Sequence, residues 1–208
     1  MGRTRRDRGA TTTTGYAVLG LLTIKPWTTY ELAKQVQRSL GWFWPRAERQ
    51  LYDEPKRLVD AGFATGTEEH TGRRPRTMYA ITPAGRRALR SWLGTPPAAP
   101  IFESEAMVKV FFADVGNLAQ LTATLDAIEA GARARIDVLG AMIEASRSGP
   151  YEFASRLPVN ALALRFQLEH EAMQVRWAAW ARDHIASWNS PSDPGTWDWY
   201  DAVRQVKV

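Results

Sequence analysis

Arginine, lysine, glutamine and tyrosine crowd the stretch from Arg46 to Asp60, and Arg73, Arg74 and Arg76 follow a few residues later. Arginine can bond bidentately to guanine and glutamine to adenine, while lysine and arginine neutralise phosphates. Arg46, Arg49 and Gln50 stand early in the stretch and suit base edges. Lys56 and Arg57 stand further along and suit phosphates. Arg73, Arg74 and Arg76 fall near a predicted hairpin tip, placed to enter a neighbouring minor groove or grip its phosphates.

Such side chains need a helix to aim them. Leu51, Pro55, Leu58 and Val59 recur at helical spacing and predict a buried face. At 100° per residue the opposite face carries Arg46, Arg49, Gln50, Asp53, Lys56, Arg57 and Asp60. Pro45 suits the start of this helix and Gly62 its end. Upstream, Gly15 to Ile24 reads as a buried first helix stopped by Pro26. Thr28 or Thr29 caps a second helix with apolar positions Tyr30, Ala33, Val36 and Leu40. Trp42-Phe43-Trp44 forms an aromatic turn into the third. Downstream, Phe63–Glu69 and Arg76–Thr82 read as strands joined by a turn over His70–Pro75. Thr82-Pro83 restarts a helix that runs to about Leu93. Three helices, a two-stranded wing and a following helix make a winged helix-turn-helix, which reads duplex DNA with its third helix.

The charge distribution points the same way. Residues 1–93 hold 17 Lys+Arg against 8 Asp+Glu, a net of +9, and residues 94–208 carry −4. A basic domain of this kind releases counterions from DNA. The chain of 208 residues contains no cysteine, which excludes disulfides and thiolate metal sites and fits a reducing cytoplasm. No apolar run approaches the length of a membrane helix, and no apolar region follows the basic N-terminus, so neither a membrane span nor a secretory signal is expected.

Residues 1–14, basic and then threonine-rich, read as a disordered arm. Residues 15–93 form the winged-helix domain, and 94–103 with Thr95-Pro-Pro-Ala-Ala-Pro100 form a stiff linker. Residues 104–208 read as all-helical. A short apolar segment spans about Ser104 to Val115. A longer helix carries Leu118, Leu121, Leu125, Ile128, Ala132, Leu139 and Ile143 along a heptad-like seam, broken by Ser148-Gly-Pro150. A third segment, about Pro158 to Trp188, has a stripe of Leu162, Phe166, Met173, Trp177, Trp180, His184 and Trp188. Its opposite face has few charges for a lone surface helix, so packing on more than one partner is expected. A last short helix is expected around Trp197 to Val203.

The stripe has two readings. Trp177, Trp180, His184 and Trp188 either sandwich a flat apolar effector at a dimer interface or are core and dimer contact. Glu169-His170-Glu171 does not suit a metal, because adjacent helical residues point about 100° apart. No glycine-rich phosphate loop and no Ser/His/Asp arrangement is present, so neither an enzyme nor a cofactor is expected.

The first half resembles the PadR family of bacterial transcriptional regulators. The likeness is carried by Tyr16-Ala-Val-Leu-Gly-Leu-Leu22, Thr29-Tyr-Glu-Leu32, Gly41-Trp-Phe-Trp-Pro45, Gln50-Leu-Tyr52, Leu58-Val-Asp-Ala-Gly62, Arg74-Pro-Arg76, Tyr79-Ala-Ile-Thr-Pro-Ala-Gly85 and Leu89-Arg-Ser-Trp-Leu93. It covers about residues 15–93. The length and the helical second half are similar to the longer members, whose C-terminal domain dimerises. The resemblance implies a homodimer on a roughly palindromic operator, with the Gln50 and Tyr52 positions facing DNA. It suggests phenolic acids or planar drugs as effectors of some members. Pro55 departs from the family, which usually has a good helix former there. A kink at Pro55 would re-aim Lys56 and Arg57.

The expected function is therefore a cytoplasmic, homodimeric DNA-binding regulator, first of all a repressor, with a small aromatic ligand as candidate effector. The alternative is a winged-helix adaptor that binds protein without reading DNA.

Overall fold

The computed structural model describes residues 11–45, 48–71, 74–147 and 153–204, and leaves undescribed the side chains of residues 48, 49, 70, 71, 74 and 75. The chain divides into two compact units at Ala99 and Pro100.

The first unit holds α1 (Thr13–Leu22), β1 (Trp27–Thr28), α2 (Thr29–Ser39), α3 (Glu48–Asp60), β2 (Ala64–Thr71), β3 (Arg74–Ile81) and α4 (Pro83–Leu93). Local chemistry sets most of these boundaries. Thr12 caps α1, its hydroxyl accepting from the Gly15 amide at 3.0 Å. The helix thus begins inside the stretch expected to be a disordered arm; residues 1–10 of that arm lie outside the described residues. Thr28 and Glu31 form a reciprocal capping box at the start of α2. Thr82 caps α4, with Pro83 in the first turn. At the end of α3, Gly62 has φ of 75°, its amide meets the Val59 carbonyl, and the Phe63 amide meets the Leu58 carbonyl. That is the Schellman arrangement, which favours glycine at the left-handed position.

The core gathers the inward faces of three helices: Val18, Leu19 and Leu22 from α1, Leu32 and Val36 from α2, Leu51 and Leu58 from α3. Pro55 is fully buried and lies inside α3. The sheet has three strands in the order β1-β3-β2, all antiparallel. The expected wing had two; β1 adds Trp27 opposite Tyr79 and Thr28 opposite Met78. The hairpin is also longer than expected. Pairing continues through His70 opposite Pro75 to Thr71 opposite Arg74, positions read from sequence as turn.

The second unit holds α5 (Glu105–Phe111), a 3-10 turn (Ala113–Val115), α6 (Leu118–Arg147), α7 (Leu157–Ile185) and α8 (Trp199–Arg204). The break expected at Ser148-Gly-Pro150 falls outside the described residues. α6 and α7 run antiparallel, since Leu121 and Leu125 cluster with Ala181 and Ile185 while Arg135 bridges to Glu171. Where they meet, α7 buries Gln167, Glu171, Ala178, Ala181 and Ile185. This corrects the expected stripe. Leu162, Phe166, Met173 and Trp180 are exposed, whereas Trp177 and Trp188 pack on the Leu121 cluster. Small residues let the two helices approach, and the carboxylates between them are paired. Glu171 accepts from Arg135 Nε at 2.9 Å, Gln167 at 2.6 Å and Gln174 at 3.0 Å. Arg182 bonds Asp126 at 2.7 Å and pairs with Glu129. Hydrogen bonding from Arg133 holds the Glu129 carboxyl below its usual range.

Candidate nucleic-acid interface

α3 presents one clean face to solvent. Gln50, Asp53, Lys56, Arg57 and Asp60 are exposed, and Tyr52 is half-buried at the edge. Leu51, Pro55 and Leu58 anchor the opposite side, so the exposed face is held against a rigid core. Arg49 has its backbone in α3, but its side chain is undescribed; Arg46 lies outside the described residues. On the wing, Arg76 is exposed and sits across the strands from Glu69, with 3.5 Å between the charges. Arg74 belongs to β3 without a described side chain, and Arg73 lies outside the described residues.

Glu54 was not among the expected site residues. It is buried within α3, accepts the Thr12 hydroxyl at 2.9 Å and pairs with Arg57 at 3.5 Å. It ties the start of α1 to α3. On the helical wheel Glu54 falls on the boundary, about as close to Gln50 and Arg57 as to Leu58 and Leu51, so the sequence carried no signal for its burial.

The second unit brings Trp177, Trp180, His184 and Trp188 to one cleft of about 390 Å³. Trp197 and Asp114, neither singled out from sequence, also line it. Trp180 and His184 have ring centroids 4.4 Å apart, and Trp188 and Trp197 are 5.0 Å apart. The tail reaches the cleft through a turn built on Asp193, whose carboxylate accepts from Asn189 Nδ2 at 3.0 Å and the Gly195 amide at 3.2 Å. The carboxylates flanking His170 diverge: Glu171 faces α6, while Glu169 pairs with Arg165 on the surface. Among the described residues no cluster of three or more His, Asp or Glu side chains is placed to hold a metal ion. No described helix is long and apolar enough to cross a membrane.

Residues 18–91 match the model of the PadR-like transcriptional regulator family, and residues 104–186 match the C-terminal domain of virulence activator alpha. The chain carries a PadR-like transcriptional regulator domain followed by a C-terminal extension. The negative transcriptional regulator PadR of Bacillus subtilis is 33% identical over 99 residues, 47% of this chain and 54% of that protein. The match thus spans about half of that relative's length. A crystal structure of B. subtilis PadR in complex with operator DNA superposes with a TM-score of 0.70 at 26% identity, covering 81% of this chain and 96% of that one. The same protein has been solved with p-coumaric acid. A probable transcriptional regulator of Mycobacterium tuberculosis is 26% identical over 174 residues, 78% of this chain and 92% of its own. The Vibrio cholerae virulence activator AphA shares the fold, with a TM-score of 0.65 at 22% identity over 84% of this chain and 99% of that one. These relatives are regulators and not enzymes. The PadR-like assignment thus falls on the unit with the basic helix and wing, and the second match on the unit with the aromatic cleft.

Proposed function

We propose that this regulator is a cytoplasmic homodimeric repressor that reads a palindromic operator with α3 and the wing, and that a small planar aromatic effector releases it. The observation that carries the reading is the exposed face of α3, where Gln50, Asp53, Lys56 and Arg57 stand opposite a fully buried Leu51, Pro55 and Leu58. In this reading Arg46, Arg49, Gln50, Tyr52 and Asp53 face base edges, and Lys56 and Arg57 hold phosphates. Arg73, Arg74 and Arg76 reach the adjacent groove. The operator complex of B. subtilis PadR and its description as a negative regulator support this use of the fold. Its p-coumaric acid complex supports an aromatic effector. Such an effector acts by binding the DNA-competent and incompetent states unequally.

The test is a selection of bound duplexes from a random-sequence pool, followed by a salt titration on the recovered site. A two-fold-symmetric site is expected, with log affinity falling by about 0.9 per phosphate contact for each tenfold rise in salt. Negligible binding to any duplex at low salt would overturn the reading and favour a protein-binding adaptor.

A further inference from the structure

Glu54 is a charged side chain of α3 that stands behind the exposed face rather than on it. Its side chain is 4% exposed, while that of Arg57, one turn further on, is 66% exposed. Two contacts fix the carboxylate. Oε1 accepts the Thr12 hydroxyl at 2.9 Å, and Oε2 lies 3.5 Å from Arg57 Nη1. Thr12 is itself held, because its side-chain oxygen accepts the Gly15 amide at 3.0 Å. The backbone of α1 also closes on the carboxylate: a Cβ built on Gly15 would lie 2.6 Å from Oε1. Glu54 therefore has little freedom to swing away from Arg57.

An ion pair between two exposed side chains is weak, because both must be ordered to make it. Here one partner is already anchored, and a buried carboxylate needs its countercharge more than an exposed one does. Arg57 is thus drawn to one place before DNA arrives, which lowers the ordering cost of a contact made there. Its charge is also partly answered, which weakens its pull on phosphates that arrive anywhere else. Lys56 is the contrast: it is exposed on the same face and has no ion pair among the described residues. We propose that Glu54 positions Arg57 for one phosphate of the seated duplex and so widens the preference for operator over other DNA. The proposal rests on the reading of Arg57 as a phosphate contact.

The experiment uses the full chain, a duplex recovered by selection and a random-sequence duplex, compared at one salt concentration. Glu54→Gln keeps the size and an acceptor for the Thr12 hydroxyl but removes the charge. Affinity for the random duplex should rise, and the operator-to-random ratio should fall by roughly threefold to fivefold. Arg57→Ala should lower the ratio to a similar extent, and Lys56→Ala should leave it unchanged. In the Arg57→Ala background, Glu54→Gln should change the ratio no further. A purely structural Glu54 would keep its effect there. That result, or an unchanged ratio in the single variant, would overturn the proposal. A second measurement needs no variant. Without DNA, NMR relaxation of the Arg57 Nε–H in the parent should show a more ordered side chain than that of Arg86, which is exposed on α4. Equal mobility would overturn the proposal even where Glu54→Gln does not fold. A parent that binds no duplex overturns the DNA reading and this proposal with it. A parent that binds while the ratio stays put overturns this proposal alone.

Discussion

Gln50 and Lys56 share one exposed face of α3 but should act on different parts of the DNA. If Gln50 reads a base edge, Gln50→Ala relaxes preference at one operator position and costs about 1–3 kcal/mol on the best site. Lys56→Ala should instead weaken binding to all duplexes alike and reduce the salt slope by about one. Competition binding against single-base operator variants separates the two, and identical profiles would refute the division of roles. Glu31 belongs to the same scale but to stability. Its carboxylate accepts the Thr28 amide and the Thr28 hydroxyl, each at 2.8 Å, and these bonds hold its pKa below 4.5. A carboxyl with a depressed folded pKa stabilises the fold above its unfolded value and loses that contribution as pH falls through the folded one. The stability difference between parent and Glu31→Gln should therefore narrow as pH drops from 4.5 downwards. Urea midpoints at pH 7 and below 4 check this, and a constant difference would refute it.

At the scale of elements, Gly85 shows how the first unit is assembled. A Cβ built on Gly85 in α4 would lie 2.1 Å from the Phe63 carbonyl oxygen, which is backbone and cannot swing away. Gly85→Ala should cost about 2–3 kcal/mol by forcing α4 off the start of β2. The melting temperature of this unit should fall by roughly 10 °C, and an unchanged melt would show that α4 has room to move. That close approach was invisible in the sequence, although the helix itself was legible. Thr82-Pro83 and Thr28 announced α4 and α2 because capping is local chemistry. β1 went unread because two residues carry no periodicity and gain their strand character from pairing with Tyr79 and Met78. The hairpin was drawn short because Pro75 and Gly72 suggest a turn, while the cross-strand ladder extends to Thr71 and Arg74. In α7 the aromatic stripe was found, but its burial was not. Periodicity reports that a face is apolar and does not say whether its own chain or another covers it. Glu171, read as one of a poor metal triad, is instead the buried anchor for Arg135 across the α6–α7 contact.

For the whole molecule, the uncovered side of α7 is the feature that demands a partner. Leu162, Phe166, Met173 and Trp180 fall within about 40° of one another on the helical wheel and are all exposed, Phe166 by 64%. From first to last the stripe runs about 27 Å at the rise of an α-helix. An exposed apolar strip of that length marks an interface. A second copy is the occupant that the operator reading requires, because two recognition helices must reach half-sites about 34 Å apart. Phe166→Glu places a charge in the strip without touching the α6–α7 contact, so the helical content and the fold of each subunit should survive. Sedimentation at micromolar concentration should then show a dimer for the parent and a monomer for the variant. Affinity for the full operator should fall by about 100-fold, since the second half-site is no longer held at high local concentration. Affinity for an isolated half-site should not change. A variant that remains dimeric would move the interface away from this face. A monomer that still holds the full operator as tightly as the parent would mean that pairing on DNA does not depend on this surface.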